Sequence, residues 1–312
     1  MRCAKQGGHK MSKFAVIGDS TCDLTPELRK EHDIDYARMR VSWTSKDKKE
    51  HEVWASLDWQ EGISHKEYFD MLASGTRVFT SQVSEQEYDE VFGRHLKAGE
   101  DVLYISCSSA LSASVQLARK LVSKYEKQYP GRKVVIVDPL NSCMGQGMML
   151  LKADDMRKAG KNLEETASWL EEHKLEYNQI ATVENLTTLK NAGRVKASKA
   201  FFGNLFGVKP MLISDAKGNN FAIEKQKGRR NALLRTVEMA KELAVDPEHS
   251  VCWVSEAECK PEDIELLVSN LKSAVKFKEV NVVPMGPIIG GTTGKGTVGV
   301  YFFGKKVEVV GE

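Results

Sequence analysis

Three apolar runs constrain this chain more than anything else in it: FAVIG at 14–18, VLYIS at 102–106 and KVVIVD at 133–138. Each reads as a buried strand, and each leads into a segment with helical signals. Thr25-Pro26 after the first run supplies an N-cap and a proline at the first helical position. LSASVQLARKLVSKY follows the second run and MGQGMMLLKADDMRKAG the third. Strands alternating with helices of ten or more residues imply an α/β fold whose mainly parallel sheet is covered on both faces. Between these units, IDYARMRVSW alternates as a strand does. Ser64 with Glu67 and Ser84 with Glu87 have the spacing of capping boxes ahead of two more helices. A further helix, Leu163 to His173, closes the first half.

From about residue 178 the pattern starts again with QIATV, the short helix LTTLKN, VKPMLIS, a helix over 229–244, SVCWV, a helix from Pro261 and VNVVP. No internal repeat relates the halves, so the expectation is two unlike α/β domains, 13–176 and 177–312. The polar lead 1–12, MRCAKQGGHKMS, is read as disordered and outside the fold. A length of 312 residues fits two domains of roughly 150 each.

Parallel sheets present ligands at the carboxyl ends of their strands. Here those ends carry hydroxyls: Asp19-Ser20-Thr21-Cys22, Ser106 through Ser112, and Asp138 with Asn141-Ser142. The loop Thr80-Ser81-Gln82, read as lying between two helices, reaches the same rim. No histidine stands beside a serine, no HExxH occurs, and no cluster has metal-ligand spacing. All seven histidines fall in polar or helical surroundings, which predicts solvent exposure. A rim of hydroxyls without a base suits holding a molecule better than reacting with it. Ser112 precedes an amphipathic helix, so its hydroxyl either meets an anion together with the first free N–H groups or serves as a plain N-cap. Asp19 either orients these hydroxyls or caps the loop after the first strand.

In the second half, Arg194 precedes KASKAFFGNLFGV, where Phe201, Phe202, Leu205 and Phe206 recur at helical spacing among Ala200, Gly203 and Gly207. Such a stripe is either core or a wall beside which something long and apolar lies. Near the C-terminus, IIGGTTGKGTVG (288–299) has the look of a nucleotide loop and fails as one. Ile289 stands where the Walker motif needs glycine, and Gly296 where it needs Ser or Thr. The dinucleotide fingerprint Gly294, Gly296, Gly299 is followed by an extended run, VGVYFF, where a helix should open.

Net charge of +2 with both signs mixed gives no footprint for nucleic acid, and no apolar run reaches membrane-span length. Six cysteines without paired spacing read as reduced thiols of a cytoplasmic protein.

Taken together, FAVIGDSTCDLT, TSQVS (80–84), SSALSAS (108–114), VDPLNSCMGQG (137–147), LKNAGRVKASKAFFGNLFGVKPML (189–212), KGRRNAL (227–233) and MGPIIGGTTGKGTVG (285–299) resemble the DegV family of fatty-acid-binding proteins. The resemblance runs from about residue 13 to the end and keeps the family's motif order. It implies a long-chain fatty acid in an apolar tunnel between two domains. The carboxylate would be held by hydroxyls at Thr80, Ser81 and Ser112, beside Ala113, with Arg194 near the ligand and Phe201, Phe202, Leu205 and Phe206 lining the tail. It implies a carrier without catalysis or cofactor, presenting the acid to a separate fatty acid kinase and carrying acyl phosphate away. The alternative is an enzyme or sensor acting on another carboxylated or phosphorylated small molecule. Three departures from the family pattern stand out. Thr292 replaces the histidine of its glycine-rich loop, Lys295 stands where proline is common, and Ala113 replaces a glycine. The expectation is that Thr292 or Thr293 still reaches the head group, that the loop closes on an anion, and that Lys295 restores a cation. Asp19 and Ser20 are expected in supporting positions.

Overall fold

The computed structural model describes residues 13–59, 62–184, 186–196, 201 and 207–311. The expected parallel sheet has four strands in the order Ile34–Ala37, Phe14–Asp19, Asp101–Ile105, Val134–Val137. Every residue of its two inner strands is buried, as expected for strands covered on both faces. Helices Glu85–Lys97 and Ser114–Gln128 pack on the face bearing Tyr104, where Tyr88 and Phe92 meet that ring edge-on. Helices Met144–Lys158 and Leu163–His173 take the other face, with Leu150 seated over Gly18.

Local chemistry sets most helix starts. Thr25 accepts from the Leu28 N–H ahead of Pro26, and Ser64 with Glu67 forms the complete reciprocal box. The second box is only half built. Ser84 accepts from the Glu87 N–H, but the Glu87 carboxylate turns to the Arg38 backbone N–H (2.9 Å) and guanidinium (2.8 Å). That contact pins the point where the alternating run IDYARMRVSW divides. Ile34–Ala37 joins the parallel sheet. Met39–Thr44 becomes the middle of a separate antiparallel sheet between Glu50–Ala55 and Val78–Thr80. The TSQ segment therefore begins in a strand, with Thr80 opposite Val41, rather than in a loop between helices.

A seven-stranded mixed sheet is built from residue 177 onward, in the order Glu279–Pro284, Val251–Glu256, Val298–Phe303, Tyr177–Thr182, Val208–Ser214, Asn220–Lys227, Val195–Lys196. Helix Met144–Lys158 lies between the two large sheets and touches strands of both. It buries Met144, Gln146, Met149, Leu150, Ala153 and Asp154, which do not fall on one stripe. A helix enclosed on most sides has no free face to keep polar. The apolar core of the parallel sheet accordingly runs on into Trp253, Val283, Met285 and Tyr301 of the second half. A second core, around Ile180, Met211, Leu233 and Leu267, fills the far side of the seven-stranded sheet.

The described cysteines are all free, and Cys107 and Cys252 are buried. The histidines correct the sequence reading: of those described, His249 alone is exposed. His32 is bonded to buried Asp154, and His95 bridges Asp35 and Glu100. His65 stands edge-on to Phe69 and reaches Glu258 of the other half. A carboxylate partner satisfies an imidazole that its neighbours in the chain would leave in water. Among the described residues no helix is long and apolar enough to cross a membrane.

The Gly18–Leu150 contact gives a direct test of this packing. A Cβ on Gly18 would lie 2.6 Å from Leu150 Cδ1, so Gly18→Ala destabilises through overpacking by about 1–3 kcal/mol. Leu150→Ala costs about 2–5 kcal/mol through a cavity. The double variant is expected to lose less than the sum of the two in urea denaturation, because the added methyl occupies space the leucine vacates. Strict additivity would place the two residues out of contact.

Candidate functional site

The rim is organised from beneath by Asp19, the last residue of the first strand and fully buried. Its carboxylate accepts from the Thr21 N–H (3.0 Å), Tyr104 hydroxyl (3.0 Å), Ser106 hydroxyl (2.9 Å), Cys107 N–H (3.1 Å) and Gln146 amide (3.2 Å). The Thr21 hydroxyl also donates to it. A carboxylate so fully engaged orients the loops after two strands and has nothing left for a ligand. Ser20 is likewise structural, since its hydroxyl accepts from the Met39 N–H at 2.9 Å.

Above this layer lies a cavity of about 210 Å³ with walls from both halves of the chain. Thr21, Thr80, Ser81, Ser112, Ala113 and Ser142 come from the first half, and Arg194, Asn220, Thr292 and Thr293 from the second. Met39, Leu111, Ile288 and Ile289 supply the apolar wall. Among the described residues no Asp, Glu or His lines it. Thr80, Ser81, Ser112, Thr292 and Thr293, with Ala113 and Arg194, thus meet at one place.

Their present partners differ. Helix Ser114–Gln128 starts two residues after Ser112, so Ser112 is not the N-cap. Its hydroxyl accepts from the Ser114 N–H (3.3 Å) and shares a hydrogen bond with the Ser114 hydroxyl (2.9 Å), which in turn accepts from the Val83 N–H (3.2 Å). The Ser81 hydroxyl accepts from the Arg40 N–H at 2.8 Å, and the Ser81 N–H donates to the Arg40 carbonyl (3.0 Å), which continues the strand pairing by one residue. Arg194 is exposed, donates to the Ala192 carbonyl, and makes no ion pair among the described residues.

The glycine-rich stretch is corrected. Pro287–Thr293 is a short helix, and the chain turns only at Gly294, with φ 88°. A Cβ on Gly290 would lie 2.3 Å from the Phe69 ring, and one on Gly291 2.6 Å from the Tyr68 hydroxyl. These glycines let the helix press against helix His65–Ala73; they do not wrap an anion. Thr292 and Thr293 donate to the Ile288 (3.1 Å) and Ile289 (3.0 Å) carbonyls of their own helix. Lys295 is not in the cavity wall: its ammonium is paired with Asp70, so it does not stand in for the missing histidine.

Of the phenylalanine stripe expected as a tail wall, Phe201 is the one described residue, and it does not line the cavity. Phe201 is half-buried against a small cluster with Val195 and Val208, its ring 4.7 Å from the Lys225 ammonium. Phe202, Leu205 and Phe206 lie outside the described residues. Met39 and Asn220 were missed by sequence reasoning. The alternation of MRVSW points Met39 inward, whereas nothing local marks Asn220.

A second cavity of about 350 Å³ adjoins the first and shares Thr80, Arg194 and Thr292 with it. Asp23 braces helix Pro287–Thr293. It is buried, accepts from the Cys143 thiol at 2.8 Å, and lies against Gly286, the N-cap of Pro287–Thr293. Burial is the main cause that pushes its carboxyl up to about 7, with the Cys143 and Gly286 contacts pulling the other way.

A family model described as "Uncharacterised protein, DegV family" matches residues 13–305. A DegV domain-containing protein of Clostridium perfringens is 30% identical over 298 residues, covering 96% of this chain and all of that one. Among solved structures, a DegV family protein from Thermus thermophilus, described by its fatty acid binding, superposes with a TM-score of 0.82 at 25% identity. That match covers 94% of this chain and 100% of the other. A stearic acid-binding protein from Eubacterium ventriosum has a TM-score of 0.81 at 21% identity, covering 94% and 98%, and shares the fold.

Asp23 yields a pH test. Its folded carboxyl keeps the proton to about pH 7, whereas an ordinary aspartate releases it near 3.8. The resulting stabilisation is complete below the lower value and is lost as pH rises through the higher one. The urea midpoint is expected to fall between about pH 4 and pH 7, and Asp23→Asn to flatten that decline. An unchanged slope in the variant would assign the titration to another group.

Proposed function

The chain belongs to the DegV family, and from that premise we propose that it binds a long-chain fatty acid with the carboxylate in the hydroxyl-lined cavity. One observation carries the reading. Thr80, Ser112 and Arg194, which arrive from three separate segments, face a single cavity with no acidic residue among the described ones. Such a lining favours an anion, and its alcohols supply donors once they turn from their present partners. Arg194 supplies the charge, with Ser112 and Thr80 as the nearest adjustable donors. Thr292 and Thr293 contribute only after leaving their helix carbonyls. We divide the chain into an N-terminal unit, 13–176, which supplies most of the hydroxyls, and a C-terminal unit, 177–312, which supplies Arg194 and the closing helix.

Energetics suit a carrier. A tail of about fourteen methylenes brings roughly 11 kcal/mol of transfer energy at about 0.8 kcal/mol each, against about 1 kcal/mol for each hydroxyl contact. The tail supplies affinity, and the hydroxyls decide which end lies at the rim. Asp19 is saturated by donors and no histidine among the described residues lines the cavity, which supports holding over reacting. On this proposal a separate fatty acid kinase phosphorylates the presented carboxylate. The competing reading, an enzyme or sensor of a smaller carboxylated or phosphorylated molecule, draws on cavity size. About 210 Å³ is below the roughly 300–1,000 Å³ usual for small-molecule pockets.

Native mass spectrometry of the purified chain separates the two, with a co-purified or added C16–C18 acid expected at one per chain. Ser112→Ala is expected to weaken that binding about fivefold, the equivalent of about 1 kcal/mol. A chain that takes up no fatty acid would leave the smaller-ligand reading in place.

A further inference from the structure

We infer that a separate cleft, between helices Pro26–Glu31 and Met144–Lys158 and the seven-stranded sheet, binds an organic amine. The apolar body of the amine lies along Trp169 and Trp253, and its ammonium sits among carboxylates at the mouth. The cleft shares no lining residue with the hydroxyl-lined cavity, so the inference goes beyond the fatty-acid reading and does not depend on it.

Spacing and register fix what faces the cleft. Met148, Leu151, Lys152 and Asp155 recur at helical spacing and form one stripe of their helix. Across from them, Val251 and Trp253 stand in register with Glu279 and Asn281 of the neighbouring parallel strand. Trp253 belongs to the core shared with the first half, whereas Cys252, Val254 and Val280 belong to the core on the far side of the sheet. Glu279 and Asn281 therefore share the cleft face with Trp253.

Two buried aromatics of this wall have a polar atom without a hydrogen-bond partner among the described residues: the Tyr177 hydroxyl and the Trp253 indole N–H. Neither atom is sealed in by protein. Buried phenols and indoles ordinarily find a partner, so these two await one in the cleft. Burial and, after it, the charge of Asp155 raise the Tyr177 phenol above its usual range, so it stays protonated and its oxygen can accept from an ammonium. The Trp169 ring is held by His173 stacked at 4.1 Å and by Phe303 at 6.4 Å. It already takes a cation, since the Lys152 ammonium lies 4.7 Å from its centroid, inside the roughly 6 Å over which a ring attracts one. Glu31, Asp155 and Glu279 are exposed and make no ion pair among the described residues. His32 is tied to Asp154, which leaves Lys152 as the cation opposing those three carboxylates among the described lining residues. That balance favours a cationic ligand and disfavours a fatty acid. The volume of about 550 Å³ lies within the roughly 300–1,000 Å³ usual for small-molecule sites. Lys152 is then the cation that a ligand displaces from Trp169.

Calorimetry on the intact chain with phenylbutylamine and its neutral analogue phenylbutanol tests this. At low salt the amine is expected to bind about tenfold tighter than the alcohol, with the preference shrinking as salt rises. Asp155→Asn and Glu279→Gln are each expected to weaken amine binding about threefold while alcohol binding stays within about twofold. Lys152→Met is expected to tighten amine binding about threefold, because the competing ammonium is gone. Unchanged thermal unfolding of the variants keeps folding out of the comparison, and the two exposed carboxylates provide independent substitutions. Saturation with hexadecanoate is expected to leave the amine's affinity as it was. Equal binding of amine and alcohol, or no uptake of the amine, overturns the inference. Displacement of the amine by hexadecanoate overturns it too, by making the cleft part of an acyl site. A dimer in sedimentation velocity that the amine dissociates would do the same, by placing a second copy of the chain over the cleft. A chain that binds the amine but no fatty acid would uphold this inference and bring down only the fatty-acid reading.

Discussion

Enclosure of one helix between two sheets is the constraint on which the rest of the molecule depends. Met144–Lys158 covers the parallel sheet with one side and meets the seven-stranded sheet with the other. Close approach at its first turn needs small residues. A Cβ on Gly147 would lie 2.7 Å from the Cys22 carbonyl, and one on Gly145 would meet the Asn141 side chain at 2.3 Å. With the helix pressed this close, Gln146 reaches Asp19 and Cys143 reaches Asp23. The same turn therefore fixes both buried carboxylates, one under the hydroxyl rim and one under the closing helix.

The distribution of charge follows from that arrangement. Acidic groups are kept below the cavity floor, where backbone N–H groups, phenols and alcohols satisfy Asp19. The cavity itself is left with alcohols and an arginine. Separating the sign of the charge by depth makes the opening receptive to anions, although the chain as a whole is nearly neutral.

Much of this was legible in the sequence wherever local chemistry decides. The three strand–helix units, the Thr25 cap, the Ser64–Glu67 box and the helix Leu163–His173 all depend on neighbours within a few residues. The hydroxyls at the strand ends were legible because topology places strand ends together. What failed depended on distant partners. Glu87 left its own cap for Arg38, forty-nine positions away. Lys295 found Asp70, and His65 found Glu258. Glycines 290 and 291 suggested a loop because the rings of Phe69 and Tyr68, which explain them, are more than two hundred residues upstream. Thr80 and Ser112, singled out by motif, line the cavity, while Met39 and Asn220 reach it only through the pairing of their strands.

The division of one extended run between two sheets at Arg38 has a consequence for how this architecture can vary. Ile34–Ala37 is locked in register beside the first strand, and Met39–Thr44 positions the strand that ends in Thr80. Only a single residue separates the two pairings. An inserted or deleted residue at that joint would shift the second ladder by about 3.3 Å and turn its side chains to the opposite face. The depth of the threonine in the cavity is thus dictated by hydrogen bonds in a sheet to which it does not belong. Length changes in this segment are tolerable only in the hairpin turn beyond Thr44, where neither ladder feels them.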